Sequence, residues 1–307
     1  GTNLVRLSVG REATNNGQIA AQNVSALVQQ HVVNAGSVTA ALELGLKSNT
    51  SYIGNSGVLR GRDVVIETAG GFDNQSLVRA GEDISVRAGG DIRNRVVNGS
   101  VAEILAPRIL LHATGAVSNN GRLFGYQSLG VQADTGAIHN SGVITGPDIT
   151  LIARNDGVWS PAAIVAGGSL AIEARSIGLR DRVTVTNDVT LRATHFNIEV
   201  DATIQTRRLM IEAARDIVTV AGALRGSELV QIVANDIQRP DGVISSPTRT
   251  RKLGVIGGTL NDVYVELRTG SIGTLGPSIF QATGHAYEAL NWTAAGSVSL
   301  ITGQGNI

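Results

Sequence analysis

A β-solenoid built from coils of about twenty residues is the fold this sequence predicts, on three observations. Apolar triplets with strand alternation recur along most of the chain, and their spacing stays close to twenty. Glycine is abundant at 38 residues, whereas aromatics make up only 3% and prolines number 6. Period-2 segments held at a fixed long repeat belong to coils that stack, because one coil alone cannot bury its apolar edge. The composition suits many tight turns around a thin interior of Val, Ile, Leu and Ala.

The stretch from Asp148 to Ala153 is the type phrase: Ile149, Leu151 and Ala153 alternate with Thr150 and Ile152. Equivalent triplets are Val5/Leu7/Val9, Val24/Ala26/Val28, Leu42/Leu44/Leu46, Val64/Ile66/Thr68, Ile84/Val86/Ala88, Ile109/Leu111/Ala113 and Leu129/Val131/Ala133. They continue as Leu170/Ile172/Ala174, Val189/Leu191/Ala193, Leu209/Ile211/Ala213 and Val230/Ile232/Ala234, with steps between 18 and 25 residues. Upstream of each lies a second apolar position, as at Ile19, Val38, Leu59, Val78, Leu123, Ile144, Val165, Val185, Ile204 and Leu224. Downstream lies a third, as at Ile92, Val117, Ile138, Ile177, Ile198 and Ile217. The class is therefore all-β, a parallel β-helix with three short strands per coil. Twelve coils stacked at strand spacing would extend about 60 Å.

Three regions follow along one continuous solenoid. Residues 1–158 carry an Asn-x-Gly mark: Asn15-Asn16-Gly17, Asn34-Ala35-Gly36, Asn55-Ser56-Gly57, Asn119-Asn120-Gly121 and Asn140-Ser141-Gly142, with Asn74-Gln75-Ser76 as a degenerate copy. Asn and Gly tolerate positive φ, so these are expected at sharp corners, where stacked Asn side chains can also bond from coil to coil. Residues 159–237 keep the strand phrase with altered turns. Residues 238–307 are expected to hold an inserted basic loop followed by wider coils.

That last region supplies the candidate binding residues. Arg239, Arg249, Arg251 and Lys252 form the densest basic cluster in the chain, and Tyr264, Phe280, Tyr287 and Trp292 follow it. Rings stack on apolar sugar faces while Arg forks onto carboxylate or sulfate, so Arg239, Arg249, Arg251, Lys252, Tyr264, Tyr287 and Trp292 are the expected ligand contacts. Wider coils that need larger side chains to fill them are the plainer explanation of the rings, and the favoured one.

Other chemistries find little support. Formal net charge is zero, so no general pull draws the chain to nucleic acid. Cysteine is absent, and His31, His112, His139, His195 and His285 lack ligand spacing, so no metal or cofactor is expected. GGFDNQ at 70–75 and GGDIRN at 89–94 miss the spacing of calcium-binding repeats and are expected to be turns. Asp63, Asp83, Asp148, Asp188 and Glu228 fall at strand entries spread along the chain, which speaks against an active site. On the outer face, Glu67 beside Arg87, and Glu173, Arg192 and Glu212 in succession, are expected to offset each other's charge. No run approaches eighteen apolar residues and residues 1–10 are not a signal peptide, so the sequence is expected to begin inside a longer chain.

Residues 61–94 (GRDVVIETAGGFDNQSLVRAGEDISVRAGGDIRN) and 118–153 (SNNGRLFGYQSLGVQADTGAIHNSGVITGPDITLIA) resemble the repeats of filamentous haemagglutinin-like exoproteins of Gram-negative bacteria. Residues 270–284 and 294–307 resemble segments between repeats in such adhesins. The resemblance implies a right-handed parallel β-helix, exported through an outer-membrane two-partner secretion transporter by a region outside this sequence. It further implies display at or release from the cell surface, with adhesion to a host or bacterial receptor or glycan. A related group carries toxins into neighbouring bacteria, and β-helices that process polysaccharides are a third class. An NPNG-type secretion motif and an RGD tripeptide are absent from the sequence; Gly61-Arg62-Asp63 is a reordered lookalike. An open ladder at each end of a solenoid predicts end-to-end self-association.

Overall fold

The computed structural model describes residues 3–213, 217–234, 236–238, 243–245, 250–255, 278–282 and 298–302, with side chains described to residue 213 and over 221–227. All named elements are strands, paired in parallel. No helix among the described residues is long and apolar enough to cross a membrane. The chain divides into two units, Gly1–Asp156 and Gly157–Ile307. The parallel β-solenoid expected from the repeat is the fold found.

In the first unit each coil has three faces. Leu4–Val9, Ala13–Asn15 and Gln18–Ala21 make the first coil, and Asn23–Val28, Val32–Asn34 and Ser37–Ala40 lie on them residue for residue. From Val58–Thr68 onward the third face of one coil runs into the first face of the next as a single bent strand, repeated in Leu77–Ala88, Glu103–Ala113 and Arg122–Ala133. Gly61 sits at such a bend, where an added Cβ would stand 2.5 Å from the Asp63 carbonyl oxygen. Alternation puts Val64, Ile66, Ile84, Val86, Leu111 and Leu123 in the core with almost no exposure.

The second face holds a column that the sequence only half announced. Asn15 donates its side-chain amide to Oδ1 of Asn34 at 2.7 Å, and Asn34 to Asn55, Asn55 to Asn74, Asn74 to Asn94, Asn94 to Asn119 and Asn119 to Asn140 each at 2.8 Å. From Asn34 on, every member is buried. The main-chain oxygen is used as well: Asn34 O accepts from the amides of Ser56 and Gly57, and Asn119 O from those of Ser141 and Gly142. A buried amide survives only if its donors and acceptors are all met, and in-register stacking meets them by repetition.

The expected positive φ is absent from these corners. Among the described residues only Asn98 and Gly99 adopt it, at 52° and 80°. The glycines of the repeated mark answer to crowding instead: a Cβ on Gly57 would stand 2.0 Å from Gly36 O, and one on Gly142 2.1 Å from Gly121 O. Asn98 and Gly99 form the turn of a two-residue hairpin closed by Val97 and Ser100. This insertion accounts for the one step of 25 residues. Phe72–Asn74 and Ile92–Asn94, expected as turns, are strands of the second face, and Asn94 belongs to the column.

Three phase assignments also change. Val24 pairs with Leu44 and Val28 with Ser48, so the third triplet is Leu44/Leu46/Ser48 and Leu42 is exposed. The irregular steps of 18 and 22 then become two of 20. Val165 points outward between buried Ile164 and Ala166, and Ile198 pairs with Val218 instead of Ile217. A one-residue slip exchanges inside for outside, and strands of three or four residues carry too few alternations to fix their phase.

The second unit is built from the same kind of parallel strands. Leu170–Leu179, Asp188–Ala193, Ile204–Ala213 and Ala223–Ala234 stack in parallel, and Ile198–Val200 continues the second face. Where the first unit has Asn, this unit has buried Leu179 and Val200, so its corner closes on apolar side chains. Within the stretch expected as a loop, Val243–Ser245 and Thr250–Val255 are strands paired with Ala223–Ala234.

Candidate functional site

In-register stacking turns residues twenty apart in sequence into neighbours about 4.8 Å apart, so the outer surface is a set of columns. On the third face of the first unit, the residue after each buried upstream position points out. Arg60 follows Leu59 and pairs with Arg79, which pairs with Leu105, which pairs with Phe124. Beside them an open groove of about 380 Å³ is lined by Arg60, Arg79, Gly61, Gly81, Pro107 and Tyr126. The Phe124 and Tyr126 rings meet edge to face, with centroids 4.6 Å apart and planes at 87°. This contact holds Tyr126, which is 50% exposed, at the groove wall.

The charges of the groove are uncompensated. Neither Arg60 nor Arg79 has a hydrogen-bond or ion-pair partner among the described residues, although both are exposed and adjacent. Neighbouring arginines are engaged. Arg108 holds Asp83, Arg95 holds Asp73, and Arg122 holds Glu103 at 3.2 Å, so the acid nearest the column in sequence is already taken.

A second column lies at the strand entries. Glu43, Asp63 and Asp83 are register neighbours, and Arg108 follows them. The sequence showed these acids as spread apart, but stacking brings Asp63, Glu82 and Asp83 within 4.8 Å of one another. Arg62 reaches Asp63 at 3.1 Å and Glu82 at 3.9 Å. Hydrogen bonding from the Arg108 guanidinium holds the Asp83 carboxyl below the usual carboxylate range. The cluster is a set of arginine-paired acids.

On the outer face, Glu67 takes Lys47 at 2.9 Å instead of Arg87. Arg192 stands 3.8 Å from Glu173 and 3.9 Å from Glu212, as expected. His112 and Gln132 both reach Asp134, at 2.8 Å each. The hydrogen bond from Gln132, then that from His112, holds the Asp134 carboxyl low. In the second unit, Trp159 and Phe196 border a smaller hollow, and the Arg175 guanidinium lies 5.0 Å over the Phe196 ring.

Of the residues expected to contact ligand, Arg239, Arg249, Tyr264, Tyr287 and Trp292 lie outside the described residues, as does Phe280's side chain. Arg251 and Lys252 fall in Thr250–Val255, at the register of Val230 and Gln231. Arg60, Arg79, Phe124 and Tyr126 were missed. Their signal was present in the sequence: Leu59, Val78 and Leu123 are upstream core positions, and the residue after each must face out. The fold and this groove define a parallel β-solenoid bearing a cationic, ring-walled cleft. No family model, curated protein or solved structure matches the chain.

Proposed function

We propose that the chain is a β-helical shaft segment of a secreted or surface-displayed bacterial filamentous adhesin, one that makes contact with cells or their glycans as well as spacing other parts of such a protein. The observation that carries this reading is the groove of Arg60, Arg79 and Tyr126, where two adjacent unpaired arginines meet an exposed ring. The stack itself supports it. Coil on coil, the backbone ladder and the Asn column resist bending and local opening without disulfides. The repeats' resemblance to haemagglutinin-like exoproteins points the same way, towards two-partner export and a place outside the cell.

In the acid cluster Arg108 holds the Asp83 carboxyl below the usual carboxylate range, the opposite of the raised carboxyl that general acid catalysis of glycan cleavage uses. The test is attachment of beads carrying the whole chain to cultured epithelial cells and to bacteria. Attachment well above that of bare beads is expected. Beads that stay unattached on both, with the chain folded by circular dichroism, would reduce the segment to a passive spacer.

A further inference from the structure

We infer that the groove beside Arg60 and Arg79 binds a polysaccharide carrying carboxylates, with Tyr126 as the platform for a sugar ring. The inference rests on the adhesive reading and names the ligand class for it.

Three features select that class. Arg60 and Arg79 are register partners on adjacent strands, both exposed, and neither has a carboxylate partner among the described residues. Like charges in that position repel, and an anion bridging them removes the repulsion while making paired charge-assisted hydrogen bonds. Arg is suited to planar, two-point recognition, which a sugar carboxylate offers. The half-exposed Tyr126 ring, fixed by Phe124, adds a flat apolar surface of the kind that packs on the C–H face of a pyranose.

The floor gives a further argument. At Gly81 an added Cβ would meet nothing closer than Arg62 Cα, at 3.6 Å, and the residue has no positive φ. Neither packing nor backbone conformation therefore requires glycine at this position. Its lack of a side chain keeps the groove clear. The groove is open to solvent instead of enclosed, which suits a segment of a longer sugar chain better than a sequestered small molecule. An acidic peptide would satisfy the arginines but would leave the ring platform without a matching flat face.

The experiment is calorimetric titration of the whole chain with oligogalacturonate, with a neutral malto-oligosaccharide, with dextran sulfate and with poly-glutamate, at low and at physiological ionic strength. The variants are Arg60→Gln with Arg79→Gln, Tyr126→Ala and Gly81→Leu, each checked by thermal melting. Oligogalacturonate is expected to bind and the neutral oligomer not to. The double arginine variant should lose about tenfold or more in affinity, Tyr126→Ala several-fold, and Gly81→Leu should block the groove while leaving the melting temperature close to wild type.

Oligogalacturonate that fails to bind, or that binds the double variant equally well, overturns the inference. Dextran sulfate binding as tightly and indifferently to Gly81→Leu would also overturn it, since bare charge attraction would then suffice. Tighter binding of poly-glutamate would replace the glycan with an acidic peptide. The bead assay separates the two claims. Beads that attach equally with and without Arg60→Gln and Arg79→Gln leave adhesion standing and remove this groove from it. Uronate binding without attachment leaves the groove and removes the adhesive role.

Discussion

Asn74 shows at the scale of one residue how the stack is held. Its amide donates to Asn94 Oδ1 and to Ser76 O, both at 2.8 Å, while its own Oδ1 accepts from Asn55 at 2.8 Å. Replacing it with Ala leaves a buried donor on Asn55 and a buried acceptor on Asn94, each with a desolvation cost and no bond to offset it. Asn74→Ala is expected to destabilise the first unit by about 3 kcal/mol, whereas Asn15→Ala, at the half-buried head of the column, should cost about 1 kcal/mol. Urea unfolding of the two variants beside wild type measures the difference, and equal losses would mean that the column adds nothing beyond its packing. Gly57 makes the companion point. Its side chain is excluded because the carbonyl of the coil beneath is too close, a constraint that comes from another coil and not from its own φ.

At the scale of the strand, coil entries carry the electrostatics. Asp83 is held low chiefly by its hydrogen bond from Arg108, and Asp188 chiefly by that from Arg208. For a carboxyl whose folded pKa lies below its unfolded value of about 3.9, the unfolded chain binds more protons through that interval. The stabilisation is therefore complete above the unfolded value and is lost as pH falls through the folded one. Both pairs are well exposed, so the contribution of each is small. Asp83→Asn with Asp188→Asn should lower the melting temperature slightly at neutral pH and leave it equal to wild type once the pH is below the folded values. A melting series from neutral to strongly acid pH checks this; a difference that persists in acid would assign the loss to packing instead.

At the scale of the whole molecule, the first coil leaves its ladder open on one side. Among the described residues Leu4–Val9 pairs with Asn23–Val28 alone, and inward-facing Val5, Leu7 and Val9 remain half-buried, whereas Val24 and Val28 beneath them are buried. An unpaired row of backbone groups over uncovered apolar side chains is a template for another strand. The chain is expected to associate in a concentration-dependent way, and Val5→Lys with Leu7→Lys should suppress this. Sedimentation velocity over a wide concentration range reads the outcome, with a single monomeric species throughout counting against it.

Much of the architecture follows from the sequence alone, because it is written in local terms. Alternation at Ile149, Leu151 and Ala153 sets strand and face, and the repeat of about twenty residues sets the coil, since a ladder accepts only segments that recur at its own spacing. Phase in the shortest strands was not legible: Val165 sits among apolar neighbours, and three residues do not distinguish inside from outside. The groove was not legible either. Arg60 and Arg79 are 19 residues apart in a chain whose basic residues looked densest elsewhere, and only the register makes them adjacent. The same holds for Asp63 and Glu82, and for the seven asparagines, which the sequence shows as separate corners and stacking joins into one hydrogen-bonded column. Sequence determines what each coil buries, because burial is decided by residues close along the chain. Which charges meet, which amides are satisfied and where a groove opens depend on neighbours one coil away, and those neighbours are chosen by tertiary register.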